Sequence, residues 1–146
     1  MQLDHIGLVT SNLAATTVLY ECLGFTASPV REIEEQYPQE PAPHRYRAVS
    51  LRPPDGGPGL WVMEPISDAG PLARFLKRRG AGFHHLALMM ADIQAEAKKL
   101  QAAGFTFIRE PHDFPEGGEL RGLLSPKTTG GVLIEIIQNR PRQPHA

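Results

Sequence analysis

Leu3-Asp4-His5-Ile6-Gly7-Leu8-Val9 and Phe83-His84-His85-Leu86-Ala87-Leu88-Met89 are one segment written twice. The register runs without a gap from Leu3 to Phe25 over Phe83 to Phe105, at an offset of 80 residues. His5 falls on His85, Leu8 on Leu88, Ala15 on Ala95, and Gly24-Phe25-Thr26 on Gly104-Phe105-Thr106. A repeat of this kind is one supersecondary unit used twice. Equivalent residues then occupy equivalent points of two half-sheets, so histidines far apart in sequence can face one pocket.

Each copy opens with an alternating stretch that predicts a strand. Asn12 and Asp92 follow at the same repeat position, with side-chain oxygens suited to cap a helix N-terminus. Leu13, Thr17, Tyr20 and Leu23 give the first helix its stripe; Ile93, Ala97 and Leu100 give the second. Gly24 and Gly104 suit the left-handed position that closes each helix. Three further strands are expected in each half: about Phe25–Glu32, Arg45–Leu51 and Leu60–Met63, then about Phe105–Arg109, Leu120–Leu124 and Val132–Ile137. Turn-rich Pro53–Gly57 and Ser125–Gly131 precede the last strand of each half.

The fold class is therefore α+β: two tandem βαβββ modules forming an open, barrel-like mixed β-sheet with a concave face. Residues 1–146 read as a single domain, with module 1 over about 1–66 and module 2 over about 81–140. A linker at about 67–80 carries a helix from Pro71 to Arg79, and the tail 141–146 is expected to fray.

Fifteen basic and sixteen acidic residues leave a net charge of −1, which excludes a nucleic-acid footprint built on clustered positive charge. The local run Arg74, Lys77, Arg78, Arg79 reads as a solvated helix end, or else as an anchor for an anionic substrate tail. One cysteine, Cys22, excludes an intramolecular disulfide and fits a reducing compartment. On the apolar side of its helix it is expected to be a buried, inert thiol. No secretory leader and no long apolar run is present, so a cytoplasmic protein away from membranes is expected.

Glu135 stands inside Val132-Leu133-Ile134-Glu135-Ile136-Ile137. A carboxylate there is costly unless paired or metal-bound, or unless it faces water from an edge strand. With His5 and His85 it makes a set of two imidazoles and one carboxylate. That donor set suits Fe(II) and, with further ligands, Co, Mn, Ni or Zn.

These residues carry a resemblance. Leu3–Val9, Gly82-Phe83-His84-His85-Leu86-Ala87-Leu88 and Ser125-Pro126-Lys127-Thr128-Thr129-Gly130-Gly131-Val132-Leu133-Ile134-Glu135 resemble the vicinal oxygen chelate, or glyoxalase/bleomycin-resistance, superfamily over nearly the whole chain. The last two stretches, with Pro71-Leu72-Ala73-Arg74-Phe75-Leu76, look most like methylmalonyl-CoA epimerases. The resemblance implies His5, His85 and Glu135 as ligands of a divalent metal ion (Co, Mn, Ni, Zn or Fe(II)), plus one further ligand.

That further ligand falls on Trp61, whose indole cannot bind a metal. Glu64 has the opposite strand parity and reads as a structural carboxylate. The epimerases' acid-base glutamate falls on Ala48, leaving Ser50, Tyr46 and His44 as unranked alternatives. Trp61, Ser50 and Lys127 are expected against substrate. His84 should point away from the metal face, and His112 and Glu116 lie in an expected loop, Pro111–Gly118.

The function expected is a metal-dependent enzyme resembling methylmalonyl-CoA epimerase, using metal-stabilised enolate chemistry on a small carbonyl or acyl-thioester substrate. An Fe(II) dioxygenase with a two-His-one-carboxylate site is the alternative, since Trp61 suits an empty fourth position. A non-catalytic drug-binding protein is the third. A small molecule is the expected partner, and a homodimer the expected assembly.

Overall fold

The computed structural model describes residues 1–115 and 118–140, so Glu116 and the 141–146 tail lie outside the described residues. The element order is β1 (Gln2–Val9), α1 (Leu13–Cys22), β2 (Thr26–Ala27), β3 (Arg31–Glu35), β4 (His44–Arg52), β5 (Gly59–Pro65), α2 (Pro71–Arg79), β6 (Gly82–Met89), α3 (Ile93–Ala102), β7 (Phe107–Asp113), β8 (Glu119–Leu124) and β9 (Ile134–Asn139). The strands hydrogen-bond in the order β2-β4-β5-β1-β6-β9-β8-β7, with β3 also on β4, an open mixed sheet. Two compact units divide the chain, His5–His84 and the remainder, with the division falling inside β1 and inside β6. No described helix is long and apolar enough to cross a membrane.

In the His5–His84 unit, β5 runs parallel to β1 and antiparallel to β4. Strand alternation sends Leu8, Val49, Leu51 and Val62 to one side, where they bury with Leu13 of α1. Ile6, Tyr20, Phe25 and Leu60 pack around them. Each such apolar side chain contributes about 1.5–3 kcal/mol when fully buried. The opposite face of these strands carries His5, Ser50 and Trp61.

The other unit repeats the plan. β9 runs parallel to β6 and antiparallel to β8, and α3 packs on β7, β8 and β9. Both expected N-caps form: Asn12 accepts from the Ala15 amide and Asp92 from the Ala95 amide, each at 3.0 Å. Gly24 and Gly104 take φ of +100° and +94°, which L side chains rarely adopt.

Three local expectations need correction. The strand expected over 25–32 is broken at Ser28-Pro29-Val30. Pro29 has no amide for the ladder, and Ser28 bridges the gap by bonding Ser50 through both its amide and its hydroxyl, each at 2.9 Å. In the second half, β7 continues through Pro111 and His112 where a loop was expected. It is the sheet's terminal strand, where proline is tolerated, and its pairing with β8 shifts register twice. Cys22 is exposed, not buried. Nine residues beyond Leu13, at about 100° each, it points about 180° away from the face that α1 buries.

Candidate metal centre

In β6, His85 and Ala87 are the buried positions of an alternating strand. Parallel pairing sets Ala87 beside Glu135 of β9. Nε2 of His85 then lies 3.8 Å from Oε1 of Glu135, with both side chains buried. The same oxygen stands 3.4 Å from Nη1 of Arg121. That guanidinium lies 3.7 Å over the Phe114 ring, and its Nε and Nη2 meet Glu119 at 2.8 and 2.7 Å. The buried carboxylate of Glu135 is thus flanked by an imidazole and a guanidinium.

Sequence reasoning missed Arg121. Its signal is parity: Arg121 and Leu123 share the face of Glu135, so an arginine in Leu120-Arg121-Gly122-Leu123-Leu124 had to be buried with a partner. His112 registers opposite Arg121 across β7 and β8. Burial lowers its pKa, against the opposing effect of a 2.9 Å hydrogen bond between Nδ1 and the Glu110 carbonyl. Lys127 is exposed in the turn between β8 and β9.

In the other unit, His5 is buried in β1 and its ring centroid is 6.5 Å from that of Trp61. Trp61 pairs with Gly7 on one side and Ser50 on the other. Glu135 pairs with Ala87 and Leu123. Gly7 and Ala87 are repeat equivalents, so Trp61 occupies in its module the place that Glu135 occupies in the other. Three residues along, Glu64 accepts the Leu13 amide at 2.6 Å and Gln138 accepts the Ile93 amide at 2.8 Å. The two last strands therefore correspond residue for residue. Glu64 is a structural carboxylate, held also by Arg47 at 3.1 Å.

Ala48 is fully buried and pairs with Met63 and Arg31. The Arg31 guanidinium lies 4.8 Å from the centroid of the Trp61 ring. Two residues from Ala48, the Tyr46 hydroxyl donates to Glu35 at 2.8 Å. His44 packs against Tyr37 and Tyr46, and burial holds its pKa down. His84 stacks edge-on against Phe75 at 4.9 Å, the structural role that its parity implied. Of the basic run, Arg74 pairs with Glu40, which lowers the carboxyl's pKa. Lys77, Arg78 and Arg79 close the last turn of α2.

A family model described as the Glyoxalase/Bleomycin resistance protein/Dioxygenase superfamily matches residues 4–121. The "uncharacterized protein YqjC" of Bacillus subtilis is 27% identical over 146 residues, covering 97% of this chain and 95% of its own length. A crystal structure of methylmalonyl-CoA epimerase from Mycobacterium tuberculosis superposes with a TM-score of 0.79 at 26% identity, covering 97% of this chain and 89% of that one. The Streptomyces coelicolor methylmalonyl-CoA epimerase, a variant in complex with 2-nitronate-propionyl-CoA, gives a TM-score of 0.75 at 27% identity, covering 97% and 99%.

Proposed function

This chain belongs to the Glyoxalase/Bleomycin resistance protein/Dioxygenase superfamily, and within it we propose a metal-dependent isomerase acting by enolate chemistry on a small carbonyl or acyl-thioester substrate. His5, His85 and Glu135 would hold the ion. One observation carries this reading: Nε2 of His85 and Oε1 of Glu135, both buried, stand 3.8 Å apart, and the repeat puts the buried His5 at the position equivalent to His85. The donor set also fits, because two imidazole nitrogens and one carboxylate oxygen suit a divalent transition metal. When bound, such an ion supplies Lewis-acid stabilisation of negative charge on a carbonyl oxygen.

The chain's own residues do the rest. Arg121 and Glu119 fix the Glu135 carboxylate from behind. Trp61 walls the first module's face and keeps water from it. Moving a proton at carbon requires a titratable group near the reacting atom. Ala48 cannot titrate, and the Glu35-bonded hydroxyl of Tyr46 is the nearest ionisable group along that face of β4. The S. coelicolor relative's acyl-CoA ligand supports a thioester as substrate. Cytoplasmic homodimers belong to the same reading, with Val18 and Leu19 of α1 and the adjoining Leu23 as exposed apolar residues.

Trp61 favours a second reading, an Fe(II) dioxygenase, because no ligand stands at the repeat equivalent of Glu135. Metal analysis of protein purified without chelator tests both. Near-stoichiometric metal with proton-deuterium exchange at the α-carbon of a 2-methyl acyl thioester supports the isomerase. Oxygen uptake with catechols or 2-oxo acids supports the dioxygenase. A protein that takes up no metal under any loading is neither, and the non-catalytic binding role then stands.

A further inference from the structure

We propose that His112 is the residue that takes the α-proton from the substrate, on Nε2, filling the acid-base role that Ala48 leaves open. The role rests on the isomerase reading above; the placement of the histidine does not.

A bulge puts the residue in place. From Arg109 to His112 β7 advances three residues, while β8 advances two from Leu123 to Arg121. Without the extra residue Pro111 would stand opposite Arg121; with it, His112 does. Bulges of this kind re-aim a side chain and recur beside active sites. Residues directly opposite on paired strands share a face. Arg121 and Leu123 are two apart and Leu123 pairs with Glu135, so His112 lies on the face of that buried carboxylate. Arg121 links the two, as the register partner of His112 and the residue whose Nη1 stands 3.4 Å from Glu135.

Its hydrogen bonding makes it a base. A carbonyl oxygen only accepts, so the 2.9 Å contact with Glu110 fixes the hydrogen on Nδ1 and leaves the lone pair on Nε2. Among the described residues only Nδ1 has a hydrogen-bond partner. Burial, the largest effect, lowers the imidazole's pKa. The Glu110 hydrogen bond and Glu135 of β9 act to raise it, and Arg109 of β7 and Arg121 of β8 to lower it further. Glu119 of β8 is held by Arg121, and Asp113 by Arg140. The ring is thus neutral at pH 7, and half-buried, open enough to meet a substrate. His44 and His84, by contrast, are packed against aromatic rings. In the step itself the α-proton passes to Nε2, and the C–H electron pair forms the carbon–carbon double bond of the enolate. The carbonyl π pair moves onto oxygen, and return of a proton from Nε2 to carbon reverses the sequence.

Metal-loaded protein in deuterium oxide should exchange the α-proton of a 2-methyl acyl thioester. In His112→Gln, kcat should fall about a hundredfold or more, with KM and metal content little changed. The wild-type rate should rise with pH through a limb below about 6.5 that the variant lacks. Nitrogen NMR of the metal-free wild type should show the Nδ1–H tautomer at neutral pH, a readout that needs no turnover. Undiminished exchange by His112→Gln, loss of its metal, or an Nε2–H tautomer in the wild type overturns the role of His112 and leaves the isomerase standing. A wild type that loads metal yet exchanges no α-proton removes the isomerase reading, and the role of His112 with it.

Discussion

Nε2 of His85 and Oε1 of Glu135 stand 3.8 Å apart on strands paired in parallel register, with only 4% and 9% of their side chains exposed. That separation is too long for a hydrogen bond and suits two donors converging on a third centre. Arg121, 3.4 Å from the same oxygen, offsets the carboxylate's charge from the opposite side. The pair can thus stay buried whether or not an ion joins it.

Removing the imidazole should remove the metal. In His85→Ala, metal content after loading and desalting is expected to fall from near one ion per chain to less than about a tenth of that, as expected when one of three ligands is lost. Elemental analysis of the purified variant gives the answer. Full retention of metal by a folded His85→Ala protein would contradict the assignment of His85 as a ligand.

Arg121 should matter chiefly for stability. Arg121→Leu leaves Glu135 buried beside Glu119 with no guanidinium between them, and breaking a buried ion pair in this way costs about 3–5 kcal/mol. Urea unfolding should show a lower midpoint, with Arg121→Lys between the two because lysine keeps the charge but not the fork. A loss below about 1 kcal/mol, the scale of an exposed pair, would mean that the three groups are not coupled as described.

Glu64→Ala and Gln138→Ala should behave alike. Each removes the acceptor for the first amide of a helix, Leu13 or Ile93, and loss of such a cap costs about 1 kcal/mol. Both variants should lose stability by that order in denaturant melts yet load metal normally. Loss of metal in Glu64→Ala alone would mean that Glu64 reaches the site after all.

His44 gives a pH dependence. Its folded pKa is depressed, chiefly by burial, so at acid pH the unfolded chain binds a proton that the folded chain resists. Stability is therefore unaffected well above the unfolded value and declines as pH falls through about 6.5. The denaturation midpoint should drop between pH 7.5 and pH 5.5, and His44→Gln should drop less than the wild type. Equal slopes in the two proteins would show that His44 is not the group responsible.

The repeat made much of this legible. Offset matching found His5 and His85, both caps and both helix-closing glycines, because each depends on local sequence. Glu135 stood out as a charge in an apolar strand. What stayed hidden depended on register across strands. Arg121 sits in a segment that reads as an ordinary strand; only its alignment with Glu135 gives it meaning. β7 was shortened at Pro111 because a terminal strand cannot be told from an interior one without its neighbours. Cys22 was misread because the stripe from Leu13 through Leu23 was drawn one turn too far.

Trp61→Glu tests the deepest consequence of the duplication. Trp61 and Glu135 hold equivalent register positions, so a glutamate at 61 would place a second carboxylate at the ligand-bearing point of the first module. Its two effects should have opposite signs. Replacing a buried indole by a smaller, charged side chain should destabilise the metal-free protein by several kcal/mol, since truncating a buried tryptophan costs about 3–5 kcal/mol. Metal affinity should rise by about tenfold or more, roughly 1.4 kcal/mol, because a fourth donor is added. Competition with a chromophoric chelator measures the second effect and metal-free thermal melting the first. A variant that loses stability without gaining affinity would show that the equivalence of the two strands stops at the backbone.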